Sequence, residues 1–189
     1  MKAYLAIGTL FVAIISARAN SPTGSASQVP MLCEEVALPT RINELLKTKF
    51  PQWRPKQVSD MSTDDQQSWL GAHEKECPGI AVGQFESADA LSYAVLLVAK
   101  SEPTGGYKIV AFSRMPAGDV YALKLLDRAD GETYSGRVIS KADLRKYSDF
   151  DGTKSIETKL DGVYVEWIEK VAQLYYWSGG RYRTLRVSD

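Results

Sequence analysis

Histidine is almost absent from this chain, since its 189 residues include only His73. A Ser-His-Asp hydrolase would have to use His73, but no serine lies in a G-x-S-x-G segment. The H-E-x-x-H, Walker and dinucleotide-binding motifs are missing as well. We therefore interpret His73 as a solvated surface residue and expect no metal, no cofactor and no catalytic residues. Any two of the 23 acidic residues could still meet in space, so a carboxylate-dependent hydrolase stays open as an alternative.

An excess of charge of one sign is also missing. The 23 Lys and Arg residues balance the 23 Asp and Glu residues. Without the first 19 residues, which contain Lys2 and Arg18, 21 basic residues face 23 acidic ones and the formal charge is −2. Such a chain has no electrostatic attraction for nucleic acid, so we expect no nucleic-acid partner.

Long apolar runs are confined to the N-terminus. Residues 1–19 join Lys2 to an apolar core and end in Ala17-Arg18-Ala19, a pattern typical of a cleaved signal peptide. The core is shorter than the roughly 20 residues that span a bilayer, so we expect no stable membrane anchor after cleavage. Residues 20–30 are small and polar, which predicts a flexible lead-in. The protein is then periplasmic or secreted, with residues 31–189 as a single α+β domain.

Cysteine is scarce too, with Cys33 and Cys77 as its two occurrences. In a chain bound for an oxidising compartment, two cysteines allow a single intramolecular pairing. We therefore predict a Cys33–Cys77 disulfide.

The order of the periodic segments predicts helices first and strands afterwards. Ile42, Leu45 and Leu46 have helical spacing before Pro51, and Trp69 and Leu70 form the apolar side of a second helix that begins at Ser62 or Thr63. The predicted strands are residues 80–85, 90–99, 107–114, 120–126, 163–168, 171–177 and 181–187. Residues 127–159, rich in charge, Gly and Ser, are expected to be mainly loop. The fold class is α+β, with two N-terminal helices packed on a mainly antiparallel sheet or meander and one disulfide.

The C-terminal segment predicts a hairpin with an aromatic face. If Gly179 and Gly180 form the turn, Trp177 lies opposite Tyr182 and one face carries polar and aromatic side chains together. This candidate interaction face consists of Gln173, Tyr175, Trp177, Tyr182, Thr184 and Arg186. Exposed aromatic rings beside an arginine are typical of a protein contact or of a stacking surface for a sugar. The alternative is that the rings only stabilise the hairpin or lie beneath the helices.

The segments "CPGIAVGQF" and "SYAVLL" resemble the FG-GAP-like core of many uncharacterised secreted bacterial proteins, and "KFPQWRP" and "YYWSGGRYRTLRVSD" resemble other parts of those proteins. In calcium-binding FG-GAP repeats, alternating Asp or Asn side chains after the Phe surround the cation. The matching loop here, residues 86–90, has two carboxylates and no glycine. Because calcium takes 6 to 8 oxygen ligands, the departure indicates that this loop holds no metal.

These observations favour an exported, non-enzymatic binding protein whose partner is another protein, as in an inhibitor or an immunity protein. A glycan-binding or cell-wall-binding module is the first alternative, because the aromatic face would also suit a sugar.

Overall fold

The computed structural model describes residues 32–73, 76–101, 106–116, 118–131, 136–168 and 170–187. The predicted signal peptide at 1–19 and the lead-in at 20–30 lie outside the described residues. No helix within the described ranges is both long and apolar enough to cross a membrane.

The helices precede nearly all of the strands. They are α1 (Leu32–Glu35), α2 (Thr40–Lys49), a 3-10 turn (Val58–Asp60) and α3 (Thr63–His73). Pro39 precedes α2 and Pro51 follows it, and its buried side chains are Ile42 and Leu46. The described N-terminal part thus has three α-helices where the sequence predicts two, because α1 forms around Cys33.

Eleven strands lie within the described residues. They are β1 (Trp53–Pro55), β2 (Ile80–Gly83), β3 (Ser92–Ala99), β4 (Tyr107–Arg114), β5 (Tyr121–Ala129), β6 (Arg137–Ala142), β7 (Lys146–Ser148), β8 (Ser155–Glu157), β9 (Gly162–Trp167), β10 (Val171–Ser178) and β11 (Arg181–Val187). All of their pairings are antiparallel. The mainly antiparallel character of the prediction is confirmed.

The strands form two main sheets rather than the one sheet that the sequence suggests. In the first sheet β4 lies between β3 and β5, and both β1 and β2 pair with the other side of β3. The second sheet has the order β11-β10-β9-β6, and β7 and β8 form a separate hairpin. The two sheets meet at one corner, where the Ile139 N–H donates to the Pro78 carbonyl at 2.9 Å.

Strand β3 is covered on both faces, as its continuous apolar sequence predicts. On one face Ala94, Leu96 and Val98 pack with Ile139, Val163, Val165 and Tyr175 in the core between the two sheets. On the other face Val95 and Leu97 pack with Ile42 and Leu46 of α2. Of the predicted strand at residues 90–99, the part from Ser92 onward is therefore a core strand, whereas Leu91 is 53% exposed just before it.

Two further predictions have clear outcomes. The Cys33–Cys77 disulfide is confirmed and ties α1 to the turn that precedes β2. The expectation that residues 127–159 are mainly loop is wrong for their described part, because the end of β5 and the strands β6, β7 and β8 lie there. In β6, Val138 and Ile139 are fully buried. Strand β6 pairs with β9, which is distant in sequence, so a short apolar pair between charged residues becomes a buried outer strand of the second sheet through tertiary contacts.

Candidate functional site

The C-terminal hairpin has the predicted register. Gly179 and Gly180 adopt φ values of 61° and 77°, the left-handed conformation that a two-residue hairpin turn of this kind requires. Trp177 lies opposite Tyr182, and Tyr175 lies opposite Thr184. Gln173, Tyr175, Trp177, Tyr182, Thr184 and Arg186 therefore share one face, as the sequence predicts.

This face turns toward the first sheet and is not an open surface throughout. Tyr175 is only 4% exposed and joins the core between the sheets, which corrects the expectation that its ring is accessible. Trp177 and Tyr182 are half-buried, whereas Thr184 and Arg186 are exposed. The prediction assumed one sheet, and the second layer that covers Tyr175 was missed for that reason.

The six residues divide between two cavities. Tyr175, Trp177, Tyr182 and Thr184 line a cavity of about 460 Å³ between β5 and the hairpin, together with Lys124, Leu125, Leu126, Gly180 and Arg181; we name it the edge groove. Gln173 and Arg186 line a cavity of about 350 Å³ with Tyr107, Asp127, Arg137, Val165, Glu166, Trp167, Val171 and Ala172; we name it the arginine cavity.

Aromatic and charged groups alternate in the edge groove. The Trp177 and Tyr182 rings meet edge to face with centroids 5.1 Å apart, and the Lys124 Nζ lies 4.8 Å from the centre of the Trp177 ring. Lys124 also forms an ion pair with Glu86. Burial, together with the adjacent Glu86 carboxylate, raises the pKa of Tyr182 well above its ordinary value, so its hydroxyl stays protonated.

The edge groove lies between the outer strands of two sheets. Strand β5 has β4 as its paired neighbour, and strand β11 has β10. Among the described residues no strand pairs with the other side of either. Only near the end of β11 does another segment approach, since the Phe150 N–H donates to the Arg186 carbonyl at 3.1 Å. Each of the two strands that flank the groove therefore has an edge whose backbone groups pair with no other described strand.

The arginine cavity is organised around Arg137. The Arg137 Cζ lies 4.0 Å from the ring centre of Tyr107 and 5.1 Å from that of Trp167. Asp127 accepts a hydrogen bond of 2.8 Å from the Tyr107 hydroxyl, and its carboxylate lies 3.9 Å from the Arg137 guanidinium. Burial and the same carboxylate raise the pKa of Tyr175, which is therefore a neutral hydrogen-bonding group in this region.

His73 is not the solvated surface residue that the sequence suggests. Its side chain is 23% exposed, and its ring stacks on buried Trp69 with centroids 3.8 Å apart. The Nε2 atom lies 3.8 Å from Glu166, and the Nδ1 atom lies 3.4 Å from Glu76. The half-buried position follows from α3, which places His73 four residues after Trp69 on the same helix face.

Sequence reasoning identified Arg186 but missed three other charged residues of the two cavities, Lys124, Asp127 and Arg137. Lys124 and Asp127 lie on β5, and Arg137 is the first residue of β6. None of them belongs to a motif, and Arg137 lies in the segment expected to be loop. The adjacent apolar residues Val138 and Ile139 in "RVISKA" were the one available signal, but two residues are too few to decide between strand and loop.

Within the described ranges, no group of three or more His, Cys, Asp and Glu side chains is placed to hold a metal ion. In the loop at residues 86–90, Glu86 forms an ion pair with Lys124.

No family model, no curated protein and no solved structure matches this chain in the three comparisons. The resemblance to FG-GAP-like proteins stays a prediction.

Proposed function

We propose that this protein is an exported, non-enzymatic binding protein that recognises another protein, in the manner of an inhibitor or immunity protein, through the edge groove. The observation that carries the proposal is that β5 and β11, which flank the edge groove, each have one edge with no paired strand among the described residues. An extended segment of a partner can hydrogen-bond to such an edge and place alternate side chains in the groove.

Strand β5 is the better edge for this addition. Leu123 is 37% exposed and Leu125 is 47% exposed on its outer face. Proteins usually protect a strand edge with charges, proline or a covering segment, and exposed leucines on an edge favour association. A partner strand on β5 would cover both leucines and lie beside Trp177.

The location outside the cytoplasm is part of the proposal. The Cys33–Cys77 disulfide supports it, because disulfides persist in oxidising compartments such as the periplasm. The sequence pattern of residues 1–19 supports it independently.

The glycan-binding alternative has weaker support. A sugar needs an open ring face, whereas Lys124 lies over the Trp177 ring and the Tyr182 ring contacts it edge to face. For the hydrolase alternative, Asp127 and Glu166 line one cavity, but Asp127 is engaged by Tyr107. No specific observation favours either alternative over protein binding.

Substitution of Leu125 with Lys tests the proposal. A lysine at this edge should weaken partner capture at least about tenfold, because its charge must be desolvated against the incoming strand. The measurement is capture from the periplasmic extract or culture medium of the source organism on immobilised protein, followed by affinity determination with the purified partner.

Leu144→Lys is the matched control, since Leu144 is 56% exposed and lies outside β5. Circular dichroism and thermal melts should show that both variants fold. Equal capture by Leu125→Lys and Leu144→Lys would remove β5 as the binding edge. A concentration-dependent dimer that Leu125→Lys abolishes would identify a second copy of the chain as the occupant instead.

A further inference from the structure

We propose that the arginine cavity is a second binding site, separate from the edge groove, that takes a small organic carboxylate. This site is not required for protein binding at β5. The ligand class follows from the donors that line the cavity and from their surroundings.

Arg186 supplies a positive charge that has no carboxylate partner among the described residues. Its guanidinium carbon lies 5.7 Å from the centre of the Phe150 ring. A guanidinium is a planar donor that matches both oxygens of a carboxylate. Arg186 therefore offers the cavity a bidentate recognition group.

Arg137 supplies a second guanidinium at a fixed position. Its side chain is 14% exposed, and the rings of Tyr107 and Trp167 flank it. Contact with aromatic rings restricts a long side chain before any ligand arrives, which lowers the entropy cost of binding.

The acidic lining residues do not cancel this preference. The Asp127 carboxylate already accepts a hydrogen bond from Tyr107 and lies beside Arg137. The Glu166 carboxylate lies 3.8 Å from His73, on the side of β9 that faces α3. Arg186 is therefore the charged group of the lining that neither acidic residue engages.

The size and the polar lining limit the ligand. A volume of about 350 Å³ suits a molecule with the bulk of one sugar or one amino acid. Gln173 adds an amide that can both donate and accept, while Val165, Val171 and Ala172 give an apolar wall. A hydroxy or amino acid would use the arginines for its carboxylate and Gln173 for a neutral polar group.

The test is an NMR titration of the full mature chain with glucuronate, glutamate and succinate. Binding should shift the Trp167 indole N–H and the Gln173 side-chain amide, both of which belong to the cavity. Glucose and glutaminamide, the counterparts of the first two probes that lack a carboxylate, should produce no saturable shift. Sodium chloride and sulfate at equal ionic strength control for general attraction of anions.

Arg186→Gln should weaken binding of the best probe by at least about tenfold, because it removes a charge-assisted hydrogen bond. Arg183→Gln is the matched control, since Arg183 lies on the opposite face of β11 and loses the same charge. Both positions are exposed, so both variants should fold.

The proposal is overturned if no carboxylate shifts the cavity signals, if the counterparts without a carboxylate or sulfate reproduce the shifts, or if the two arginine variants weaken binding equally. These outcomes are independent of partner capture by Leu125→Lys, so each site can fail without the other.

Discussion

Lys56 carries its amino group into the interior, where none of the residue is exposed to solvent. Burial is the largest influence and lowers the pKa of Lys56 from 10.5 to about 7. Asp60 and Asp65 oppose this shift, and the positive charge of Arg137 adds to it. In the unfolded chain Lys56 returns to water and keeps its proton up to about pH 10.5. Between these two pKa values, the unfolded state therefore binds more protons than the folded state.

This difference makes stability depend on pH with a definite sign. Relative to Lys56→Met, the free energy of unfolding of the wild type should increase by about 2 kcal/mol from pH 7 to pH 9 and should change little below pH 6. Urea unfolding at several pH values measures both curves. Lys49→Met, at an exposed position of α2, should leave the pH profile of the wild type unchanged. Parallel curves for the wild type and Lys56→Met would show that the buried amine does not lose its proton in this range.

The secondary-structure elements differ in how well their positions could be predicted from local sequence. Strands β4 and β11 have the predicted bounds, because alternating or continuous apolar residues and glycine turns mark them locally. Strand β6 was missed, since its pairing partner β9 is far along the chain and its own apolar signal is two residues long. The same limit applies to the candidate site. The hairpin register was predictable, whereas the cover over Tyr175 depends on a second sheet that no local pattern reveals.

Gly79, in the segment "CPGIAVGQF", lies where the backbone of Lys56 approaches closely. A Cβ at Gly79, just before β2, would lie 2.3 Å from the Lys56 carbonyl oxygen and 2.8 Å from its backbone nitrogen. Gly79→Ala should therefore lower the free energy of unfolding by about 2 kcal/mol or more, since backbone atoms must move. Gly71→Ala in α3 is the contrasting variant, because its Cβ would meet nothing within 4 Å. It should raise stability by up to about 1 kcal/mol, since alanine favours helix.

Denaturant unfolding measures both glycine variants. A small or favourable effect of Gly79→Ala would mean that the segment around Lys56 can shift away from β2 at little cost.

At the scale of the whole molecule, the N-terminal helices and the first sheet are joined covalently as well as by packing. Cys33 and Cys77 are buried and pack with Ile80 at the start of β2. The disulfide closes a long segment, with a sequence separation of 44, that contains α2, β1 and α3. Removal of the disulfide therefore increases the conformational entropy of this segment in the unfolded chain.

The double variant Cys33→Ala/Cys77→Ala should lose about 4 kcal/mol of stability, the loop-closure estimate for a segment of this length. Guanidinium unfolding of the oxidised wild type and of the variant gives the difference. A reductant should destabilise the wild type by a similar amount and leave the variant unaffected. A loss below about 1 kcal/mol would indicate that the segment is already restrained in the unfolded chain.

The meeting of the two sheets at Pro78 and Ile139 has a consequence for folding kinetics. Strands β2 to β5 follow one another along the first sheet, and β9 to β11 do so along the second, so most pairings close short loops. Each meander can nucleate from its own hairpins in microseconds. Their docking brings together segments about 60 residues apart, so we expect it to be slower than the formation of either meander.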